Sequence, residues 1–107
     1  MPEEIASIED FDKHIGGGAA AVALFYYPYC PFCSYFMPEF EKQAGEKPGF
    51  FRLRADILEE IEDRHSVEVV PTVILFKEGK EAARLDGAYG RGLSAAQLSA
   101  FLSANGL

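Results

Sequence analysis

The 107-residue chain has no tryptophan and only two cysteines, two methionines and two histidines. Two cysteines are too few for a disulfide-stapled secreted domain of this size. The histidines, His14 and His65, lie far from the cysteines in sequence, a thin basis for a zinc centre, which wants four ligands. No apolar run approaches the ~20 residues of a membrane span. The opening Met-Pro-Glu-Glu-Ile has no basic n-region and no apolar h-region, so no secretory leader is expected and the cytoplasm is the expected compartment. Basic residues are also scarce, ten against seventeen acids, for a formal charge of -7. Such a chain repels phosphate backbones and anionic lipid on average, so neither nucleic acid nor a membrane is an expected partner.

What is present is an ordinary globular mixture, 49% hydrophobic and 25% charged, which excludes disorder and collagen-like repeats. The length suits one domain over residues 1–107, and a domain of this size buries roughly two thirds of the surface its unfolded chain exposes. No linker or internal repeat is visible, and a monomer is expected.

Ser7 to Ile15 reads as a helix, with Ser7 and Asp10 in a capping-box arrangement and Ile8, Phe11 and Ile15 on one face. Gly16-Gly17-Gly18 ends it. Ala19 to Tyr27 is a continuous apolar run, as a strand buried on both faces requires. After Pro28, a helix opens at the cysteine pair and runs to about Ala44, with Cys33, Phe36, Met37, Phe40 and Ala44 in one stripe and Pro31 in its first turn. Pro38 lies mid-helix, where a kink is expected. Phe50 to Ala55 reads as a strand, and Asp56 as the cap of an acidic helix from Ile57 to Arg64 with Ile57, Leu58 and Ile61 inward. Thr72 to Lys77, the Glu78-Gly79 turn and Lys80 to Leu85 form a hairpin. Ser94 and Gln97 cap a final helix whose Leu98, Phe101 and Leu102 face inward. The order helix, strand, helix, strand, helix, hairpin, helix implies an α/β fold with a mixed central β-sheet flanked by helices on both faces.

Any redox or metal chemistry must use the only cysteines, Cys30 and Cys33. At a strand-to-helix junction the first sulfur sits at the helix N-terminus, where unpaired N–H groups and the helix dipole favour an anion. The thiolate is the attacking form. Cys33 falls on the apolar stripe, so Cys30 is expected to attack a substrate disulfide and Cys33 to resolve the mixed disulfide. The competing readings are an inert pair, a zinc half-site and an intermolecular iron–sulfur site.

Here the sequence resembles the thioredoxin family along nearly its whole length. The resemblance rests on Phe25-Tyr26-Tyr27-Pro28-Tyr29-Cys30-Pro31-Phe32-Cys33, on Pro38, on Val70-Pro71-Thr72 before a strand, and on Phe76-Lys77-Glu78-Gly79 at the hairpin. It implies a thioredoxin fold and a protein-disulfide reductase with no bound cofactor. It also implies a cis Pro71 beside the pair, and a Val70 whose backbone meets an extended substrate. Substrate contacts are thus expected at Tyr29, Pro31, Phe32, Val70 and Pro71, with protein disulfides as substrates and a flavin- and NADPH-dependent thioredoxin reductase as electron donor.

The departures bear on mechanism. Thioredoxins usually read Trp-Cys-Gly-Pro-Cys, whereas the Pro31-Phe32 dipeptide looks like glutaredoxin. The acid that usually stands six residues before the first cysteine, and takes the resolving thiol's proton, is Leu24 here. The cation often found on the next strand is Arg52, which cannot exchange a proton as lysine can. Deprotonation of Cys33 then falls to water or a substrate thiolate, and slower reduction is expected. A glutathione-coupled enzyme is the alternative. Gly87-Ala88-Tyr89-Gly90-Arg91-Gly92 does not match the glutathione-gripping motif and reads as a flexible loop, with Arg91 its one carboxylate binder. A redox-inert module holding clients on Tyr29, Phe32 and Tyr35 is a third reading. Glu59, Glu60, Glu62 and Asp63 read as a solvated helix face.

Overall fold

The computed structural model describes residues 2–107. Five strands, β1 (Glu3–Ile5), β2 (Ala21–Tyr26), β3 (Phe50–Arg54), β4 (Thr72–Lys77) and β5 (Lys80–Asp86), form one sheet in the order β1-β3-β2-β4-β5. β3 runs parallel to both β1 and β2, while β4 is antiparallel to β2 and β5. The helices are α1 (Ile8–Ile15), α2 (Pro31–Ala44), α3 (Glu59–Arg64) and α4 (Ala95–Ala104).

Strand alternation divides the core in two. Ala21, Ala23 and Phe25 of β2 pack with Phe11 and Ile15 of α1 and Ile61 of α3 on one face. Val22, Leu24 and Tyr26 pack on the other with Cys33, Phe36 and Phe40 of α2 and Leu98 and Leu102 of α4. The β4 side chains divide in the same way, Ile74 and Phe76 against Val73 and Leu75. Every residue of β2 is buried, as expected of a continuous apolar run at the sheet centre. The resolving-thiol candidate therefore belongs to the α2/α4 core rather than to a surface loop.

Local chemistry explains most boundaries. Ser7 Oγ accepts the Asp10 N–H at 3.0 Å, but the Asp10 carboxylate accepts from Ala6 rather than from Ser7, so the box is displaced by one residue. Ser94 and Gln97 complete their reciprocal box at 3.1 and 2.9 Å. The Glu78-Gly79 turn places both residues at positive φ, 54° and 77°, the geometry a two-residue hairpin needs.

Three expectations need correction. An additional edge strand, β1, precedes α1 and pairs with β3. Asp56 does not cap α3, because its carboxylate is held by the Arg54 guanidinium at 2.8 and 3.2 Å. The helix starts at Glu59 with Leu58 in the cap position and no side-chain cap. Ile57 consequently points outward and is 60% exposed, while Leu58 and Ile61 are buried as expected.

Candidate active site

β2 ends at Tyr26, and the chain turns through Pro28 and Tyr29 before α2 begins. The Cys30 N–H donates to the Tyr27 carbonyl at 3.2 Å, which closes that turn. Cys30 is the N-cap of α2 and Pro31 the first helical residue, where its missing N–H costs nothing. In the cap geometry Cys30 Sγ replaces the usual hydroxyl: it accepts the Cys33 N–H at 3.4 Å. The Cys30 thiol also lies 4.0 Å from the Val70 carbonyl. Cys30 is half-buried, whereas Cys33, one turn further along the inward face, is only 2% exposed.

That difference in burial separates the two sulfurs chemically. Burial pushes the Cys33 thiol from 9.0 up to about 12, and the neighbouring Cys30 sulfur adds to the rise. Leu24, 1% exposed, shares the apolar cluster with Cys33 and is paired in register with Arg52 of β3 and Val73 of β4. Arg52 is already engaged, donating to Glu4 at 2.8 Å and to Glu41 at 2.7 Å. A hollow of about 380 Å³ lined by Tyr26, Tyr27, Met37, Pro38 and Arg52 nevertheless reaches Cys33 from the side. It is roomy enough to hold solvent beside the residue that carries the buried thiol.

A second hollow, of about 360 Å³, opens at Cys30. Phe32 with Ala88, Tyr89 and Gly90 forms one wall, and the segment from Glu68 to Val70 forms the other. The Val70–Pro71 peptide bond is cis, and Pro71 is buried behind Val70. Thr72, fully buried, donates to the Val69 carbonyl at 2.6 Å and accepts the Gly87 N–H at 3.4 Å. These bonds tie the Val70 wall to the 87–92 loop. Gly87 packs so closely on the Pro71 carbonyl that a Cβ would collide with it. At Gly92 (φ 68°) a Cβ would stand 2.7 Å from that of Phe32.

Cys30, Phe32 and Val70 thus meet in one groove. Tyr29, 72% exposed, and Pro31 stand on the surface beside it rather than in its lining. Tyr35 is 80% exposed but does not line the groove. Sequence reasoning missed Glu68, Ala88, Tyr89 and Gly90. The segment from Gly87 to Gly92 reads from its sequence as a flexible loop, yet it is closed by paired bonds between Ala88 and Gly92 at 3.2 and 2.9 Å. The signal was available in its three glycines, two of which are buried against the site. His14 meets Asp10 at 3.2 Å and His65 meets Glu81 at 2.9 Å. Among the described residues, no three His, Cys, Asp or Glu side chains converge on a metal-sized site.

The thioredoxin family model matches residues 4–104. Thioredoxin-1 of Saccharomyces cerevisiae is 32% identical over 90 residues, covering 82% of this chain and 87% of the relative. Human glutaredoxin-3 is 29% identical over 91 residues, which cover 81% of this chain but only 27% of that protein. Among solved structures, Malassezia sympodialis thioredoxin superposes with a TM-score of 0.85 at 25% identity, covering 100% of this chain and 92% of that one.

Proposed function

The chain belongs to the thioredoxin family of thiol–disulfide oxidoreductases, and on that premise we propose how its two sulfurs divide the work. The Cys30 thiolate attacks one sulfur of a protein disulfide, forming a Cys30–substrate disulfide and releasing the other substrate sulfur as a thiolate. Cys33, deprotonated, then attacks Cys30 Sγ, releasing the second substrate thiolate and leaving a Cys30–Cys33 disulfide. Two electrons pass from the pair to the substrate, and the substrate thiolates take up protons. The observation that carries this assignment is the unequal burial of the two cysteines, with Cys30 Sγ accepting the Cys33 backbone N–H.

The order of steps follows from electrostatics. While Cys30 is free, its sulfur helps to hold the proton on Cys33. Once Cys30 is in the mixed disulfide, that contribution disappears and Cys33 becomes easier to ionise. With Leu24 where the family has an acid, the proton leaves to water in the hollow beside Arg52 or to the departing substrate thiolate.

Tyr29, Pro31, Phe32, Val70 and Pro71 are the proposed substrate contacts, with the Val70 backbone meeting an extended peptide. The pair is recharged by a flavin- and NADPH-dependent thioredoxin reductase, and the protein works as a monomer in the reducing cytoplasm. The deciding experiment is single-turnover reduction of a protein disulfide. Cys33→Ser should accumulate the mixed disulfide through Cys30, and Cys30→Ser should be inert. Sustained turnover of glutathionylated substrates by Cys33→Ser would replace this reading with a glutathione-coupled one. An equilibrium potential near about -270 mV supports the thioredoxin-type role, and one in the range of roughly -200 to -230 mV the glutaredoxin type.

A further inference from the structure

The groove at Cys30 has an apolar lining with a single charged side chain, Glu68, among the described residues. Glu68 is exposed and makes no hydrogen bond or ion pair with any of them. Most other carboxylates near the site are already engaged: Glu62 accepts the Tyr27 hydroxyl at 2.7 Å, and Asp56 holds Arg54 at 2.8 Å. The cation that shares a neighbouring hollow with Glu68 is Arg84. Its guanidinium is directed instead to Asp86, Glu81 and the carbonyls of His65 and Ser66, at 2.8 to 3.4 Å. Arg91, further along the opposite loop, does not line the groove. A lone carboxylate thus stands on the wall against which a substrate would lie, paired with no cation among the described residues.

We propose that Glu68 selects substrates carrying a lysine or arginine close to the reacting cysteine. This deepens the dithiol reading above and rests on it. The position of the cation follows from chain geometry. The Val70 carbonyl is 4.0 Å from Cys30 Sγ, so the attacked substrate sulfur comes to lie beside Val70. Glu68 is two residues from Val70, and two residues of extended chain span at most ~7 Å. A cationic side chain one to three residues from the substrate cysteine, with its own flexible stem, therefore reaches the carboxylate. The rest of the peptide meets Phe32, Tyr89 and Val70, which suits apolar or aromatic neighbours. The formal charge of -7 reinforces the same preference at long range. Glu68 adds a local component that depends on where the substrate charge sits.

The test uses the full prereduced chain in single turnover against three short peptides, each carrying one cysteine disulfide-bonded to the same chromogenic thiol. The peptides differ only in having Lys, Gln or Glu two residues from that cysteine. We expect the second-order rate constant for the Lys peptide to exceed that for the Glu peptide roughly fivefold at low salt. The ratio should shrink as ionic strength rises. Glu68→Gln should bring the ratio close to one, and Glu68→Lys should invert it. Glu46→Gln removes the same charge beyond the far end of α2, some 20 Å of helix away, and should leave the preference intact. The inference is overturned if the wild type shows no preference. It is equally overturned if Glu68→Gln keeps the wild-type ratio, since the overall field alone is then responsible. The Gln peptide isolates the underlying chemistry: if the wild type fails to reduce it, the dithiol reading falls and this inference with it.

Discussion

At Leu24 a single apolar side chain stands where, in the mechanism proposed above, an acid would help the second half of the reaction. It is buried to 1% exposure in the cluster that holds Cys33, and no acid replaces it on β2. Cys33 is pushed up to about 12, chiefly by burial, so only a small fraction is ionised near neutral pH. Leu24→Asp puts a proton acceptor into the same apolar cluster. The expected outcome is faster closure of the Cys30–Cys33 disulfide from a trapped mixed disulfide, at a stability cost of about 3–5 kcal/mol for a carboxyl in a core position. Leu24→Asn supplies polarity without a comparable acceptor and should give the cost without the acceleration. Stopped-flow closure rates, taken only on samples that retain native circular dichroism, separate the two effects. Equal rates in both variants would show that polarity, rather than proton transfer, is responsible.

At the scale of elements, the 87–92 loop is closed by its own backbone pairing, and two of its glycines, Gly87 and Gly92, are fitted to the residues opposite. Gly92→Ala must place a side chain at φ 68° and 2.7 Å from the Phe32 Cβ. Gly106→Ala faces a comparable φ of 74° with nothing within 4 Å. Both should lose about 1 kcal/mol to backbone strain, a melting shift of about 4–8 °C for a domain of this size. Only Gly92→Ala should lose more than that and also slow the attack on peptide disulfides, because Phe32 has to move. Equal melting temperatures and rates for the two variants would mean that Phe32 yields freely. The caps show the contrast with what local sequence can reveal. Ser94 and Gln97 are legible because a capping box is a contract between residues three apart. Its loss in Ser94→Ala should cost about 1 kcal/mol. β1 was not legible, because it has three residues of which only Ile5 is buried, and its pairing is dictated by β3 nearly fifty residues later. The start of α3 was misread for a related reason: the Asp56 carboxylate found a stronger partner in Arg54 than in helix N–H groups. The cysteine pair could be read directly from its spacing. Of the groove, the Val70 side was legible only through the family resemblance, and the wall at Ala88, Tyr89 and Gly90 was not, because that segment lies some sixty residues further on and meets the site only in the folded chain.

Over the whole molecule, three acidic hydrogens are held more tightly by the folded chain than by the unfolded one. Burial lifts Cys33 from 9.0 to about 12, and burial with the Glu4 hydrogen bond lifts Tyr26 from 10.0 to about 12. The hydrogen bond to Glu62, with burial second, raises Tyr27 above its ordinary value of 10.0. At a pH between the unfolded and folded values, the unfolded state binds fewer protons, so stability falls as pH rises. The contribution is complete below about pH 9 and is lost progressively as pH climbs towards about 12. Every added negative charge also strains a chain already at -7, which acts in the same direction. Urea unfolding of the reduced protein should therefore show a level plateau up to about pH 8.5, followed by a decline. Cys33 has the lowest unfolded value of the three, so it should begin that decline. In Cys33→Ser the fall should start about one pH unit higher, where the tyrosines titrate. Tyr26→Phe should leave the onset in place and make the later slope shallower. Oxidation to the Cys30–Cys33 disulfide removes the same proton chemically, so the oxidised wild type should follow the Cys33→Ser onset although its covalent structure differs. If reduced wild type and Cys33→Ser decline together from pH 9, the thiol does not lead the alkaline transition, and the burial assigned to it is not felt by its proton.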